Sequence, residues 1–174
     1  MPDAIQVRRL QSIGARELAG LSEVLIDCVE HGASVGFMQP MTQDKAQAFW
    51  KQVATTVERG KRMIFVAEDA DGMILGTVQV VVELAENQPH RGDVAKMLVH
   101  RRARRLGVGA ALLQAAEHAA RSAGKTLLVL DTANDAAARL YVRGGWQLCG
   151  VIPNYALMPD GPLCATTFYY KMLS

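Results

Sequence analysis

The chain is poor in cysteine, poor in aromatic residues and balanced in charge. Its three cysteines, Cys28, Cys149 and Cys164, form no CxxC motif and have no metal-ligand spacing. An odd, scattered set of this kind argues against a disulfide framework or a zinc site and favours a reducing, cytoplasmic compartment. Because the net charge is only +2, a basic cluster in this chain is a local feature and not part of a generally basic surface.

Long apolar runs are also missing. No run reaches the roughly eighteen residues that a membrane-spanning helix needs, and no signal peptide is recognisable. With 50% hydrophobic and 21% charged residues, the composition is that of an ordinary globular protein. We therefore expect a soluble, cytoplasmic protein in which residues 1–174 form one domain with a full core.

The apolar spacing predicts a mixed α/β chain. Alternation and short apolar runs predict strands at residues 5–10, 63–68, 73–84, 94–99, 125–131, 146–152 and 165–172. Helical spacing and end signals predict helices at residues 15–31, 42–60, 108–124 and 134–144, and turn formers predict loops at residues 87–92 and 154–162. This order predicts one mixed, central β-sheet with flanking helices and parallel pairing where helices cross over.

Residues 94–120 form the most informative stretch, a predicted strand followed by a basic loop and a helix. The loop holds four arginines and two glycines, namely Arg101, Arg102, Arg104, Arg105, Gly107 and Gly109. Cations at a helix start oppose the helix dipole, each by about 0.3–1 kcal/mol. This arrangement is explained if an anion binds the free N–H groups there, with glycines allowing the backbone a close approach. The stretch predicts a polyphosphate site.

Several polyphosphate ligands are compatible with the loop alone. A Walker A sequence is absent. A dinucleotide fingerprint is half present at Gly107 and Gly109, but Leu112 occupies its third small position and six residues separate the strand from the first glycine. Asp131 does lie where a ribose-binding acid would, so an NAD-dependent oxidoreductase stays open. The arginines could also bind nucleic-acid phosphates, although no aromatic residues are interleaved with them.

Two motifs together favour a third ligand. Residues 104–109 match R-x-x-G-x-G, and residues 134–146 match N-x-x-A-x-x-x-Y-x-x-x-G-F with Trp146 in the Phe position. In this order and with these strands between them, the motifs resemble the GCN5-related N-acetyltransferase (GNAT) family over most of the chain. The resemblance implies the acyl-CoA acyltransferase type of α/β fold, in which the fourth and fifth strands splay apart, and acetyl-CoA as co-substrate with no metal.

The resemblance also implies how acetyl-CoA is held. The main chain of residues 97–99 would pair with the pantetheine arm, and the N–H of Leu98 would polarise the thioester carbonyl. The backbone N–H groups of residues 105–110 would bind the pyrophosphate, and Asn134 would hydrogen-bond the pantetheine or its surroundings. The implied cofactor-binding residues are Met97, Leu98, Val99, Arg104, Arg105, Leu106, Gly107, Val108, Gly109, Ala110, Asn134 and Tyr141.

Acetyl transfer further needs an acid for the thiolate and a base for the amine. The resemblance implies that Tyr141 donates the proton to the departing CoA thiolate. For the base, Asp131 is the first candidate because it ends a central strand, where ligands gather as a sheet opens. Glu83 and His100 are the other candidates.

Acceptor selection has to come from outside the acetyl-CoA motifs. The expected substrate-binding residues lie in an apolar, glycine-bearing loop: Ser34, Val35, Gly36, Phe37 and Met38. Residues 154–163 are a further candidate wall. Because these segments carry few charges, they favour a small amine over a long basic peptide. Trp50, on the second predicted helix, is expected to be a core residue.

The resulting prediction is an acetyl-CoA-dependent N-acetyltransferase that acts on the primary amine of a small molecule by direct attack in a ternary complex. The loop at residues 31–38, the PDG loop at residues 159–161 and the last strand most resemble the tabtoxin-resistance type, so an amino-acid-like compound, toxin or antibiotic is the expected acceptor. A protein N-terminal or lysine acetyltransferase and a non-catalytic acyl-CoA sensor are the alternatives. We expect no nucleic-acid or membrane partner, and the oligomeric state stays open between monomer and homodimer.

Overall fold

The computed structural model describes residues 4–174. Its elements, in chain order, are β1 (Gln6–Leu10), α1 (Ala15–Glu30), α2 (Gln43–Glu58), β2 (Arg62–Glu68), β3 (Ile74–Val81), β4 (Arg91–Val99), α3 (Val108–Ser122), β5 (Leu127–Thr132), α4 (Asp135–Arg143), β6 (Gln147–Leu157) and β7 (Leu163–Met172). A short 3₁₀ helix, Arg101–Ala103, lies between β4 and α3.

The helix starts follow local sequence signals. The Thr42 side chain caps α2 by accepting a hydrogen bond from the backbone N–H of Lys45 at 3.2 Å. The Asn134 side chain caps α4 in the same way, accepting from the N–H of Ala137 at 3.0 Å. These caps satisfy backbone donors that a helix start otherwise leaves without partners.

All seven strands belong to one sheet of order β1-β2-β3-β4-β5-β7-β6. Helices α1 and α2 cover one face, where Trp50 is fully buried as expected, and α3 and α4 cover the other. Every pairing is antiparallel except that of β4 with β5. The predicted mixed α/β fold is therefore confirmed.

The parallel strands β4 and β5 separate along their length. They pair through three residues only, from Arg91 opposite Leu127 to Asp93 opposite Val129. Beyond that point β4 stays paired with β3, while β5 stays paired with β7. The sheet thus opens between the C-terminal ends of β4 and β5, which is the splay that the sequence resemblance implied.

A β-bulge in β4 accompanies this opening. Gln79 of β3 lies opposite Ala95 and Thr77 lies opposite Leu98, so two residues of β4, Lys96 and Met97, share one position of β3. Lys96 has φ +51°, a left-handed conformation that costs a non-glycine residue about 1–3 kcal/mol. Bulges bend a strand and redirect its side chains. The bulge thus brings a lysine to the mouth of the opening.

Two predicted loops are partly strand. Residues 154–157, predicted as loop, belong to β6, because Asn154 at φ +53° sits in a register shift between Ile152 and Ala156 and the pairing with β7 then resumes. Pro153 is tolerated because β6 is an edge strand. In the same way, β4 begins at Arg91, inside the predicted connection at residues 87–92.

A partly buried ion pair links the second motif to α3. Glu117, on α3, accepts hydrogen bonds from the indole N–H of Trp146 at 2.8 Å and from Nζ of Lys171 at 2.7 Å. The same lysine donates to the carbonyl of Gly144 at 2.7 Å. The Trp that replaces the Phe of the family motif therefore has a polar partner that Phe could not use.

We predict that Glu117→Ala lowers the free energy of unfolding by about 2–3 kcal/mol, because it leaves the buried indole N–H of Trp146 without an acceptor and the partly buried ammonium of Lys171 without its counter-charge. Urea denaturation measures the effect. Glu58→Ala, which removes an exposed carboxylate at the end of α2, is the control and should change stability by less than about 0.5 kcal/mol. Equal effects of the two substitutions would contradict this account.

Candidate active site

The start of α3 lies at the opening of the sheet and has the features of an anion site. Gly107 is its N-cap at φ +82°, and Arg105 just before it has φ +63°. No side chain caps this helix, and its first turn contains no acidic residue. The first N–H groups of the helix therefore have no helical partner, and together with the helix dipole they favour a negatively charged ligand.

Two glycines let α3 pack closely behind this site. A Cβ on Gly76 of β3 would lie 2.8 Å from the carbonyl oxygen of Leu98 and 3.0 Å from a methyl group of Val108. A Cβ on Gly109 would lie 3.1 Å from Cδ2 of Leu140 on α4. The structure therefore gives Gly109 a helix-packing contact, in addition to the close approach of backbone to phosphate that the motif implies.

The four arginines of the loop have different surroundings. The backbone N–H of Arg101 donates to the buried carboxylate of Asp27 at 3.0 Å, and its Nε forms an ion pair with the same carboxylate at 3.0 Å. Arg102 pairs with Glu23 at 2.6 Å. These two arginines tie the loop to α1. Across residues 4–174, neither Arg104 nor Arg105 forms an ion pair, which leaves their charges available to a ligand.

Arg104 also influences a buried thiol. Burial raises the pKa of Cys28 to about 11, and the nearby charge of Arg104 opposes this rise. The thiol donates to the carbonyl oxygen of Val99 at a sulfur–oxygen distance of 3.6 Å. Cys28 is thus a protonated core residue that supports the end of β4.

The end of β4 has one free edge. Leu98 and Val99 pair with Thr77 and Gly76 on the β3 side. On the β5 side, within the described chain, pairing with β4 has already ended at Asp93. An extended ligand could therefore add to this edge as a strand does, which is the arrangement that pantetheine binding by residues 97–99 requires.

Asp131 and Tyr141 lie on the other side of the opening. The Asp131 carboxylate, near the end of β5, accepts a hydrogen bond from the Thr166 hydroxyl at 2.7 Å. Tyr141 of α4 is 4% exposed and packs against Trp146 and Tyr169, with ring centroids 5.8 and 6.0 Å away. Burial raises the pKa of Tyr141, and the negative charge of Asp131 raises it further. The phenol is therefore held in its protonated, donating form.

Asn134 has a structural role that the motif alone did not reveal. Its side-chain oxygen is used by the N-cap of α4, and its backbone N–H donates to the Thr132 hydroxyl at 3.1 Å. Its amide nitrogen still carries two donors. A contact from Asn134 to pantetheine is therefore compatible with the cap and has to come from that nitrogen.

The predicted acceptor loop meets the turn between β6 and β7. The hydroxyl of Ser34 donates to the carbonyl of Leu157 at 3.4 Å, and the N–H of Gln39 donates to the carbonyl of Pro159 at 2.9 Å. Phe37 packs edge-on against Phe49 of α2, with ring centroids 5.1 Å apart. Of the other residues in the loop, Val35 and Phe37 pack against the core between α1, α2 and the sheet, and Met38 is 39% exposed.

Lys96 is a residue of this region that we did not single out from the sequence. Its Nζ lies 5.7 Å from the ring centroid of Phe49, and a Cβ on Gly36 would lie 3.8 Å from the same atom. The available signal was the single charge within the apolar run VAKMLV. This charge alone does not indicate a role for Lys96, because its role depends on the bulge and on the loop around Gly36.

Glu83 and His100 are not brought to the opening. Glu83 follows β3 at the end where Val81 pairs with Asp93, the start of β4, and it forms an exposed ion pair with Lys61 at 3.2 Å. The opening lies at the other end of β4. The ring of His100 lies toward α1, with Nε2 3.6 Å from the Asp27 carboxylate. Burial lowers its pKa.

Two further findings bear on the class of protein. Within residues 4–174, no group of three or more His, Cys, Asp and Glu side chains is placed to hold a metal ion. None of the helices in that range is both long and apolar enough to cross a membrane.

A sheet that opens between two parallel strands, with an uncapped helix start at the opening, defines the acyl-CoA acyltransferase type of fold. The family model of the acetyltransferase (GNAT) domain matches residues 60–148. An uncharacterised N-acetyltransferase in the hisH-hisA intergenic region of Azospirillum brasilense is 30% identical over 129 residues, which are 73% of this chain and 74% of that protein. The chain belongs to the GNAT family and is an acetyl-CoA-dependent acyltransferase.

Solved structures agree on the fold. An N-acetyltransferase from Staphylococcus aureus Mu50 superimposes with a TM-score of 0.81 at 21% identity, covering 98% of this chain and 99% of that one. The structure of yncA from Salmonella typhimurium, which contains its cofactor acetyl-CoA, superimposes with a TM-score of 0.80 at 20% identity, covering 99% and 95%.

Proposed function

We propose that this protein transfers the acetyl group of acetyl-CoA to the primary amine of a small molecule, by direct attack within a ternary complex. The observation that carries the choice of acceptor is the contact between the predicted substrate loop and the β6–β7 turn, through Gln39 and Pro159. Such a contact would close the acceptor side of the opening. A site closed on that side suits a compact amine better than an extended peptide.

The residues of the chain fit acetyl-CoA as co-substrate. The uncapped start of α3, residues 105–110, offers backbone N–H groups for the pyrophosphate, and the charges of Arg104 and Arg105 add to their attraction. The free edge at residues 97–99 is where the pantetheine arm would pair, and the N–H of Leu98 is the proposed donor to the thioester carbonyl. The co-substrate supplies the activated acetyl group when it is bound.

Two side chains complete the proposed proton transfers. Asp131, oriented by Thr166, accepts a proton from the ammonium form of the acceptor, and the neutral amine then forms the C–N bond and releases its second proton to solvent. Tyr141 donates its proton to the sulfur as the C–S bond breaks, and its raised pKa keeps that proton in place beforehand. We do not retain Glu83 or His100 as the base, since both lie away from the opening.

Two measurements test this function. Isothermal titration should show binding of acetyl-CoA to the purified protein, and a thiol-release assay should show turnover with some of a panel of amino acids, polyamines, antibiotics and N-terminal peptides. Failure to bind acetyl-CoA at high micromolar concentrations would overturn the proposal. Binding without turnover of any amine would identify a sensor, and turnover of peptides alone would identify a protein acetyltransferase.

We predict that Asp131→Asn lowers kcat/KM by at least about tenfold near neutral pH, because the substitution removes the acceptor of the amine proton. The loss should shrink as the pH rises toward the pKa of the amine, since a larger fraction of the acceptor is then already neutral. Initial rates across pH measure both effects.

The matched control is Asp71→Asn, which changes an exposed aspartate in the turn between β2 and β3. This variant should keep the rate and the pH profile of the parent. A loss in Asp131→Asn that is independent of pH would argue that Asp131 only supports the end of β5.

A further inference from the structure

A row of polar side chains lies on the face of the sheet that α1 and α2 cover. Gln79 of β3 is fully buried, and its side-chain oxygen accepts a hydrogen bond from Arg62 of β2. Two other nitrogen atoms of the pair, Nε2 of Gln79 and Nε of Arg62, are buried and have no hydrogen-bond partner. Buried donors normally have partners, and each one left unpaired is costly.

The row also lacks negative charge. Across residues 4–174, no ion pair includes Arg62 or Lys96, although both residues are partly buried. Burial lowers the pKa of Lys96, the positive charge of Arg62 lowers it further, and Asp131 across the opening opposes both. Two cations without an ion-pair partner, together with the unpaired amide donor of Gln79, form a site that is complementary to an anion.

The location of Lys96 indicates which molecule would bring that anion. The bulge of β4 places this lysine at the mouth of the opening, beside the Phe49 ring and below Gly36 of the acceptor loop. The pyrophosphate-binding start of α3 lies beyond the end of β4, next to a separate pair of arginines, Arg104 and Arg105. The anion expected at Lys96 therefore belongs to the acceptor and not to the phosphates of acetyl-CoA.

We propose that Lys96, backed by Arg62 and Gln79, binds a carboxylate of the acceptor, and that the acceptors are amines that carry a carboxylate, such as amino acids. The inference rests on the proposed function and narrows its substrate class. With a cation at Lys96 and a carboxylate at Asp131, the opening presents opposite charges to the two ends of a zwitterion. Lys96 binds the carboxylate of the acceptor and so determines specificity, while Asp131 accepts the proton of its amine.

Matched pairs of acceptors test this subsite. Each amino acid that is acetylated is compared with its carboxamide, which keeps the amine and the side chain but lacks the negative charge. The parent protein should show a higher kcat/KM for the acid. In Lys96→Met, the ratio of kcat/KM for acid to that for carboxamide should fall by about 10- to 100-fold, because a charged hydrogen bond is lost.

Two further variants serve as controls. Lys51→Met makes the same change on the exposed side of α2 and should leave the ratio as it is in the parent. Lys96→Arg keeps the positive charge and should restore part of the preference for the acid. Thermal unfolding of each variant checks that Lys96→Met is folded, which we expect because methionine is comparable to lysine in length and suits a buried position.

The outcomes separate this subsite from the function on which it rests. If the parent prefers carboxamides, or if Lys96→Met leaves the ratio unchanged, the subsite is wrong and the acetyltransferase proposal survives. If no amine is acetylated, calorimetry with N-acetyl amino acids and their carboxamides replaces kinetics. The subsite then requires a preference for the carboxylate that Lys96→Met removes, and an equal affinity for both ligands overturns it.

Discussion

Tyr141→Phe is expected to lower kcat by about 10²- to 10³-fold while the affinity for acetyl-CoA stays within about twofold of the parent. The substitution removes the proposed donor to the leaving thiolate and keeps the ring that packs against Trp146 and Tyr169. A kcat effect without a binding effect separates proton donation from packing. Thiol release at saturating substrates and calorimetry with acetyl-CoA measure the two quantities.

Tyr169→Phe is the matched control, because it removes a hydroxyl from the same aromatic cluster. Its kcat should stay within about threefold of the parent. The parent should also show no loss of kcat between about pH 7 and pH 10 through ionisation of Tyr141. Its pKa is raised above the ordinary value of a tyrosine, so the phenol stays protonated throughout that range. A parallel loss of acetyl-CoA binding in Tyr141→Phe would show that the hydroxyl is structural.

Gly107→Val is expected to weaken acetyl-CoA binding by about 100-fold. Gly107 is at φ +82°, where a β-branched residue is strained, and its backbone opens the α3 anion site. A change in its conformation would turn the first N–H groups of the helix away from the pyrophosphate, and the added side chain would occupy the space in front of them. Calorimetry with acetyl-CoA measures the affinity.

The same helix provides the control. Gly124, just after α3, also has φ +82°, and a Cβ on either glycine would have no atom within 4 Å. Gly124→Val therefore imposes the same backbone strain at the opposite end of the helix. Both variants should lose about 1–3 kcal/mol of stability in thermal unfolding. If Gly124→Val weakened acetyl-CoA binding as much as Gly107→Val, the effect would come from strain in α3 and not from the anion site.

Much of the fold was predictable because it depends on local patterns. The spacing of apolar residues predicted the seven strands and four helices, and Thr42 and Asn134 marked helix starts through their own side chains. The errors came where distant pairing overrides local turn formers. Residues 154–157 contain a turn-like Asn154, yet they continue β6 because β7 lies beside them.

The candidate site divides in the same way. Residues 104–109 predicted an anion site from sequence, since glycines and an uncapped helix start act through the backbone of that segment alone. The partners of the neighbouring charges were not predictable. Asp27 lies 74 residues before Arg101 and forms an ion pair with it, so the charge of Arg101 is not free for the predicted phosphate site. Glu83 lies near the start of β4, away from the opening.

By itself, then, the sequence determined the family and the α/β fold and predicted the place of the polyphosphate, because each is encoded in short spacings and backbone conformations. Only the tertiary structure decided which charges face the opening. In the sequence, Lys96 is a single lysine in an apolar strand. Its surroundings, namely the bulge, the Gly36 loop and Arg62 with its unbonded Nε, are seen only in the folded structure. Interactions of this kind depend on which residues meet across the sheet, and the spacing of residues along the sequence does not show these contacts.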